Sequence, residues 1–238
     1  ERMDGKDLRP DFGNRISAEI RLPQALQAGL LTPFQYLCIS DDTDLSDDSL
    51  WSGQKYNIER LADKLCAKTR ARLIVDALHK YLADEYTCRA LCFCVNKRHA
   101  DFMAEQLRLY GFNAQSLTSD TPADERKQLA KDLREGTLHY LCVVDIFNEG
   151  VDIPEVDTVL FLRPTESLTI FLQQLGRGLR LSAGKTELTV LDFVAQANRK
   201  YDFASRFRAL TLQPEKNIQK QIKDGFTLLP LGCSIVME

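Results

Sequence analysis

Three stretches of the chain carry residue types suited to handling phosphate. Gln173-Gln174-Leu175-Gly176-Arg177-Gly178-Leu179-Arg180 sets two guanidinium groups three residues apart, which on a helical turn project from nearly the same side. Taken alone, the segment also reads as a helix carboxyl end, where glycine stops the helix and cations complement its dipole. Upstream, Asp145-Ile146-Phe147-Asn148-Glu149-Gly150-Val151-Asp152-Ile153-Pro154 follows an apolar run. Alone, Gly150 is a turn glycine, Asp152 a turn or cap residue and Pro154 a stop. The third set, Asn96-Lys97-Arg98-His99 with Thr118-Ser119, falls where two short apolar runs give way to helices. Backbone amides at helix N-termini and hydroxyls there bind phosphates without reading bases. Lys97 and Arg98 serve equally well as solvated helix surface, and His99 reads as structural.

Other patterns fail on spacing. Gly178 to Thr186 ends in Gly184-Lys185-Thr186 but has five residues between its glycines, where the phosphate-binding G-x-x-x-x-G-K-S/T loop needs four and follows a strand. It reads as the loop into the next strand. Asp41-Asp42-Thr43-Asp44-Leu45-Ser46-Asp47-Asp48, tested as a calcium loop starting at Asp42, has Asp47 where glycine is required and Gly53 where glutamate is required. A solvated acidic loop is expected instead. Cys92-x-Cys94 lacks a second ligand pair, so no zinc is expected. The seven cysteines, several within apolar runs, read as reduced core side chains.

The elements that must position these residues follow from periodicity. Apolar runs at 34–40, 90–95, 114–117, 140–144, 158–162 and 188–194 read as strands. Stretches at 58–65, 70–86, 97–110, 121–134, 168–175 and 199–210 carry helical spacing. Thr121 is the expected N-cap of the 121–134 helix, with Pro122 at its first position, and Gly111 and Gly136 are stops. Short apolar runs separated by amphipathic helices specify a parallel α/β sheet with helices on both faces, in three layers. Ligands then meet loops at the carboxyl ends of the strands. Pro214 to Glu238 shows no clear periodicity.

The 238 residues are 44% hydrophobic and 27% charged, with a net charge of −3. Collagen, coiled coil and disorder are excluded, as is attachment to nucleic acid by bulk positive charge, though not by a local basic groove. No apolar run is long enough to cross a membrane, and a cytoplasmic protein is expected. The first residue is Glu, which suggests a fragment or processed chain.

Taken together, the motifs resemble the second RecA-like domain of the superfamily 2 helicases. Gln173-x-x-Gly176-Arg177-x-x-Arg180 resembles their motif VI, Gly150-Val151-Asp152-Ile153-Pro154 their motif V, and Leu91-Cys92-Phe93-Cys94-Val95-Asn96 their motif IV. The likeness covers about residues 85–210 closely and 1–84 loosely. Phe147-Asn148-Glu149-Gly150 is nearest in style to the restriction-subunit and excision-repair DNA helicases. Glu1 to Gly5 resembles the stretch just after motif III.

This resemblance implies a RecA-like fold divided into an interdomain connection over 1–33, the helicase C-terminal domain over 34–210 and an extension over 211–238. It implies an ATP-dependent DNA helicase or translocase in which Arg180 is the stronger candidate for the arginine finger and Arg177 is a second phosphate contact or a structural partner. Gln173, Asp152 and Gly150 would contact nucleotide, and Asn96, Lys97, Arg98, Thr118, Ser119 and Asn148 the DNA backbone, across the same strand ends. Many relatives place a Thr before the Asp of motif V. Here that position is Val144, which shifts work to Asn148 or Ser119. ATP and Mg²⁺ would be held mainly by a first RecA-like domain in cis, so this portion alone needs no cofactor and is expected to be inactive. The competing class is an inert RecA-like nucleic-acid-binding or docking module, which would need neither arginine.

Overall fold

The six apolar runs expected to be strands pair side by side, all in parallel. The computed structural model describes residues 13, 20–53, 55–144, 152–165, 167–197, 204–212, 218–223, 225–226 and 228–238. In chain order the elements are α1 (Leu22–Gln27), β1 (Phe34–Leu45), the antiparallel pair β2 (Trp51–Ser52) and β3 (Lys55–Tyr56), α2 (Ile58–Leu65) and α3 (Lys68–Tyr81). They continue with β4 (Ala90–Phe93), α4 (Lys97–Leu109), β5 (Ala114–Leu117), α5 (Ala123–Glu135), β6 (Tyr140–Val143) and β7 (Thr158–Phe161). Next come α6 (Leu168–Gly178), β8 (Leu188–Ala197), α7 (Ala204–Leu210), α8 (Ile218–Lys223) and β9 (Ser234–Met237). The sheet order is β5-β6-β4-β7-β8-β1-β9.

Alternate residues of each strand enter opposite layers, as the pleat requires. Leu91, Phe93, Tyr36 and Val190 join Phe171, Leu175, Leu133 and Phe207 from α5, α6 and α7. Ala90, Cys92, Leu37 and Leu191 join Ile74, Leu78, Met103 and Leu107 from α3 and α4. The three-layer α/β expectation therefore holds. The small cluster of Leu45, Leu50, Tyr56, Leu61, Leu65 and Val95 seats α2 and the β2–β3 pair. Five of the seven cysteines are buried, and burial pushes the Cys88 thiol up to about 12.

Four local expectations need correction. The acidic stretch is not all loop: β1 runs on to Leu45 through a register shift between Asp41 and Asp44. Asp41 is buried against Arg70, with Nε to Oδ2 at 2.6 Å, and accepts from the Thr43 amide and hydroxyl. Burial opposes its ionised form, but Arg70 and the Thr43 donors outweigh that and hold the carboxyl below its usual range. Helix α3 stops at Tyr81 because Leu82 is extended, at φ −90° and ψ 138°. The Thr121 hydroxyl oxygen accepts from the Thr118 amide, leaving Pro122 in the N-cap position of α5. Beyond residue 211, β9 adds a strand beside β1, where no element was expected.

One polar network lies inside the α6–α7 layer. Asp192 of β8 accepts from Arg206 of α7 at 2.8 Å and from the Tyr36 hydroxyl of β1 at 2.6 Å. Arg206 also donates to the Thr165 carbonyl ahead of α6, at 3.0 Å, and its guanidinium lies 5.0 Å from the Phe171 ring centroid. Burial, reinforced by Asp192, drives the Tyr36 hydroxyl pKa far up, so it stays a donor. Both charged side chains are at most 3% exposed. Removing one partner of such a pair costs about 3–5 kcal/mol, because the other charge stays buried. Arg206→Ala is therefore expected to lower unfolding free energy by about that amount in urea denaturation. A loss below about 1 kcal/mol would show that Asp192 finds water instead.

Candidate functional site

The arginine-bearing segment is built by α6, which leaves the carboxyl end of β7 and returns to the amino end of β8. The Ser167 hydroxyl caps its start, accepting from the Ile170 amide. Phe171, Gln174, Leu175 and Gly178 are buried toward the sheet. Gln173, Arg177 and Arg180, spaced by four and three, form the less buried stripe. The glycines divide the work: a Cβ on Gly178 would lie 2.5 Å from Leu188 Cδ1 and 3.2 Å from Val159 Cγ2, whereas one on Gly176 would meet nothing within 4 Å. Gly178 thus allows α6 to pack closely on β7 and β8, and Gly176 leaves an open backbone surface beside Arg177.

Asp152 is brought directly to this stripe, its carboxylate paired with the Arg180 guanidinium. The pair is exposed, at 46% for Arg180 and 62% for Asp152. Partial burial pushes the Arg177 guanidinium below its usual pKa. Gly150 and Asn148 lie outside the described residues.

The end of α6 is fixed by groups that the sequence did not single out for this purpose. Lys185, dismissed with the failed phosphate-loop match, sends its ammonium to the carbonyls of Gly178, Arg180 and Pro154, the last two at 3.0 and 3.2 Å. The buried Thr32 donates its hydroxyl to the Arg180 carbonyl at 3.0 Å and its amide to the Leu179 carbonyl at 2.8 Å. The available signal was Lys185 beside Gly184 just past a helix end, a place where lysine satisfies terminal carbonyls.

The second group sits at the carboxyl ends of β4 and β5. Asn96 caps α4, accepting from the His99 amide at 3.0 Å, and donates to Glu59. Lys97 pairs with Asp120, and Arg98 with Asp63 at 2.6 Å. Ser119 is exposed, whereas Thr118 is only 5% exposed, which removes its side chain from the surface that the sequence reading gave it. Arg126, missed by sequence reasoning, holds this loop by donating to the carbonyls of Ser119 and Thr121.

The two groups do not share one row of strand ends, contrary to expectation. Thr32 and Lys185 immediately precede β1 and β8, so the arginine group they hold lies at the amino edge of that half of the sheet. Asn96, Lys97, Arg98 and Ser119 lie at the carboxyl edge. The reason is topological: a helix following a parallel strand must run back along the sheet, so residues at its far end reach the opposite edge.

Comparison with known proteins bears on the family and the fold. The family model for the helicase conserved C-terminal domain matches residues 52–182. The chain is 28% identical over 165 residues to the putative ATP-dependent helicase IRC3 of Saccharomyces cerevisiae, covering 69% of this chain and 24% of that protein. It is 25% identical over 201 residues to the type I restriction enzyme EcoKI endonuclease subunit of Escherichia coli K12, covering 78% of this chain and 17% of that one. In fold it is similar to a fragment of a putative HsdR subunit from Vibrio vulnificus YJ016, with TM-score 0.67 and 21% identity over 100% of this chain and 42% of that one. It is also similar to the type ISP restriction-modification enzyme LlaBIII bound to DNA, with TM-score 0.58 and 15% identity over 97% of this chain and 17% of that one. The chain spans between 17% and 34% of the length of the first curated relatives it matches.

His99 gives this region a pH signature. It is fully buried, its Nδ1 accepting from the Val95 amide at 3.3 Å. Burial, aided by the charges of Arg70, Arg163 and Arg98, lowers its pKa from 6.5 to about 3. Between these values the unfolded chain takes up a proton that the folded chain does not, so the His99 contribution is intact above pH 6.5 and is lost as pH falls toward 3. Unfolding free energy should fall by about 2 kcal/mol between pH 7 and pH 5 from this group alone. His99→Gln should flatten that segment of the stability profile, and an unchanged slope would assign it to other groups.

Proposed function

Because the chain belongs to the helicase conserved C-terminal domain family of superfamily 2, we propose that it is the second motor domain of an ATP-dependent DNA helicase or translocase, supplying an arginine finger and part of the nucleic-acid track. The observation that carries this reading is the stripe of Gln173, Arg177 and Arg180, with Asp152 held against Arg180 and the open Gly176 backbone beside it. Cleavage of a γ-phosphate builds charge on phosphoryl oxygens, and a guanidinium delivered when two domains close stabilises that charge.

Arg180 is the finger. An exposed ion pair is worth about 0–1 kcal/mol, so Arg180 can leave Asp152 for phosphate at little cost, and the released carboxylate can accept from a ribose hydroxyl. Arg177 is the second phosphate contact and Gln173 touches the nucleotide side of the interface. In this reading Mg²⁺ and the phosphate cradle belong to a first RecA-like domain, as the division of labour in phosphoryl transfer between two closing domains requires. The LlaBIII relative is described bound to DNA. Asn96, Lys97, Arg98 and Ser119 are the proposed contacts to a DNA backbone.

In the full-length protein, Arg180→Ala should lower ATP turnover by about 10³-fold while DNA affinity stays near its parent value. Near-normal turnover by a folded variant would assign Arg180 to structure. The 238-residue chain on its own should release no phosphate from ATP above the protein-free rate, and measurable turnover by the pure chain would sink the division of labour between domains.

A further inference from the structure

The failed phosphate-loop match leaves Lys185 without a role in the sequence, yet the structure gives its ammonium three backbone carbonyls. Two of them, on Gly178 and Arg180, belong to the end of α6, where helix carbonyls lack intrahelical partners. The third, on Pro154, belongs to the segment that carries Asp152. We propose that Lys185 is a positioning residue for ATP hydrolysis, fastening the end of α6 to the Pro154 segment so that Arg177, Arg180 and Asp152 are presented as one rigid unit.

The residue type suits the task. An ammonium offers three donors from a compact point charge, enough for one carbonyl on each arm. Lys185 is half-buried, and burial lowers its pKa to about 8 against the opposing pull of Asp157 and Glu155, so it remains mainly cationic at neutral pH. The far side of the same turn is held by Thr32, whose hydroxyl shares the Arg180 carbonyl with Lys185. The Arg180 backbone is thereby pinned from two sides while its side chain stays exposed and exchangeable. A guanidinium that must meet a reacting phosphate depends on such backing, since a misplacement of about 1 Å costs on the order of 10² in rate.

This inference rests on the motor reading and is tested in the full-length protein with Lys185→Met, Lys185→Arg, Arg180→Ala and the double variant Lys185→Met/Arg180→Ala. Steady-state ATP hydrolysis at saturating DNA is measured beside thermal denaturation. Lys185→Met should lower kcat by about 10–100-fold with KM for ATP within about twofold, because the lost alignment matters in the transition state and not in ground-state binding. Lys185→Arg, which keeps charge and several donors, should recover most of that loss. The double variant should be no slower than Arg180→Ala, since residues acting through one another are not additive. If Lys185→Met does not fold, Lys185→Gln takes its place with the same expectations. A kcat within about twofold of the parent, or losses that multiply in the double variant, would overturn the proposal. A normal rate in Arg180→Ala would instead overturn the motor reading beneath it.

Discussion

The buried contact between Asp192 and Arg206 ties two central strands to the helices that cover them. Through it β8, β1, α7 and the start of α6 share one fully desolvated charge pair, with Tyr36, Thr165 and Phe171 among its further partners. A charge pair at this depth is a poor source of stability compared with apolar packing, but it penalises every arrangement that separates the partners. Here the penalty acts on the placement of α6: Thr165 precedes the helix, Phe171 lies within it, and its residue Gln174 accepts from the Thr165 hydroxyl at 3.5 Å. The amino-terminal half of the arginine-bearing helix is therefore fixed by a buried ion pair, and its carboxyl end by Lys185 and Thr32.

That arrangement separates two kinds of electrostatics. Pairs that define the fold, Asp192–Arg206 and Asp41–Arg70, are at most 3% exposed. Pairs that engage the candidate functional cations, Asp152–Arg180, Lys97–Asp120 and Arg98–Asp63, are exposed on both sides, between 46% and 64%. Water screens the exposed pairs to little net energy, so an incoming phosphate can displace the carboxylate without distorting the backbone that carries the cation. The same side chains are thus satisfied when alone and available when a polyanion arrives.

Much of the architecture was legible because it rests on short-range rules. Apolar runs such as Leu91 to Val95 are too short for helices and too apolar for half-exposed strands, which leaves a buried parallel sheet. Gly111 and Gly136 stop helices with positive φ, at 89° and 75°, as glycine's missing Cβ allows. The misreadings arose where tertiary partners decide. Asp41 belongs to a strand because Arg70, 29 residues away, compensates its burial, and nothing local announces that. Thr121 forgoes capping because the Thr118 amide claims its oxygen. At the site, residue types and spacing identified the arginine stripe, but not the edge of the sheet it occupies, because that depends on how far α6 runs back past β7.

The weakly acidic composition acquires a physical meaning from this placement. A net charge of −3 gives no general attraction to a polyanion, so in the proposed motor phosphate must be met by a few cations at defined places. Arg180, Lys97 and Arg98 each carry a carboxylate neighbour, which lowers the gain from random contact with nucleic acid, because a phosphate must first replace an existing partner. In the proposed motor a tethered first domain would change that balance by raising the local concentration of the phosphate it holds. The acidic neighbours therefore favour contacts made in register with that domain over contacts made by the chain alone, and they do so without lowering the charge on Arg180, Lys97 or Arg98.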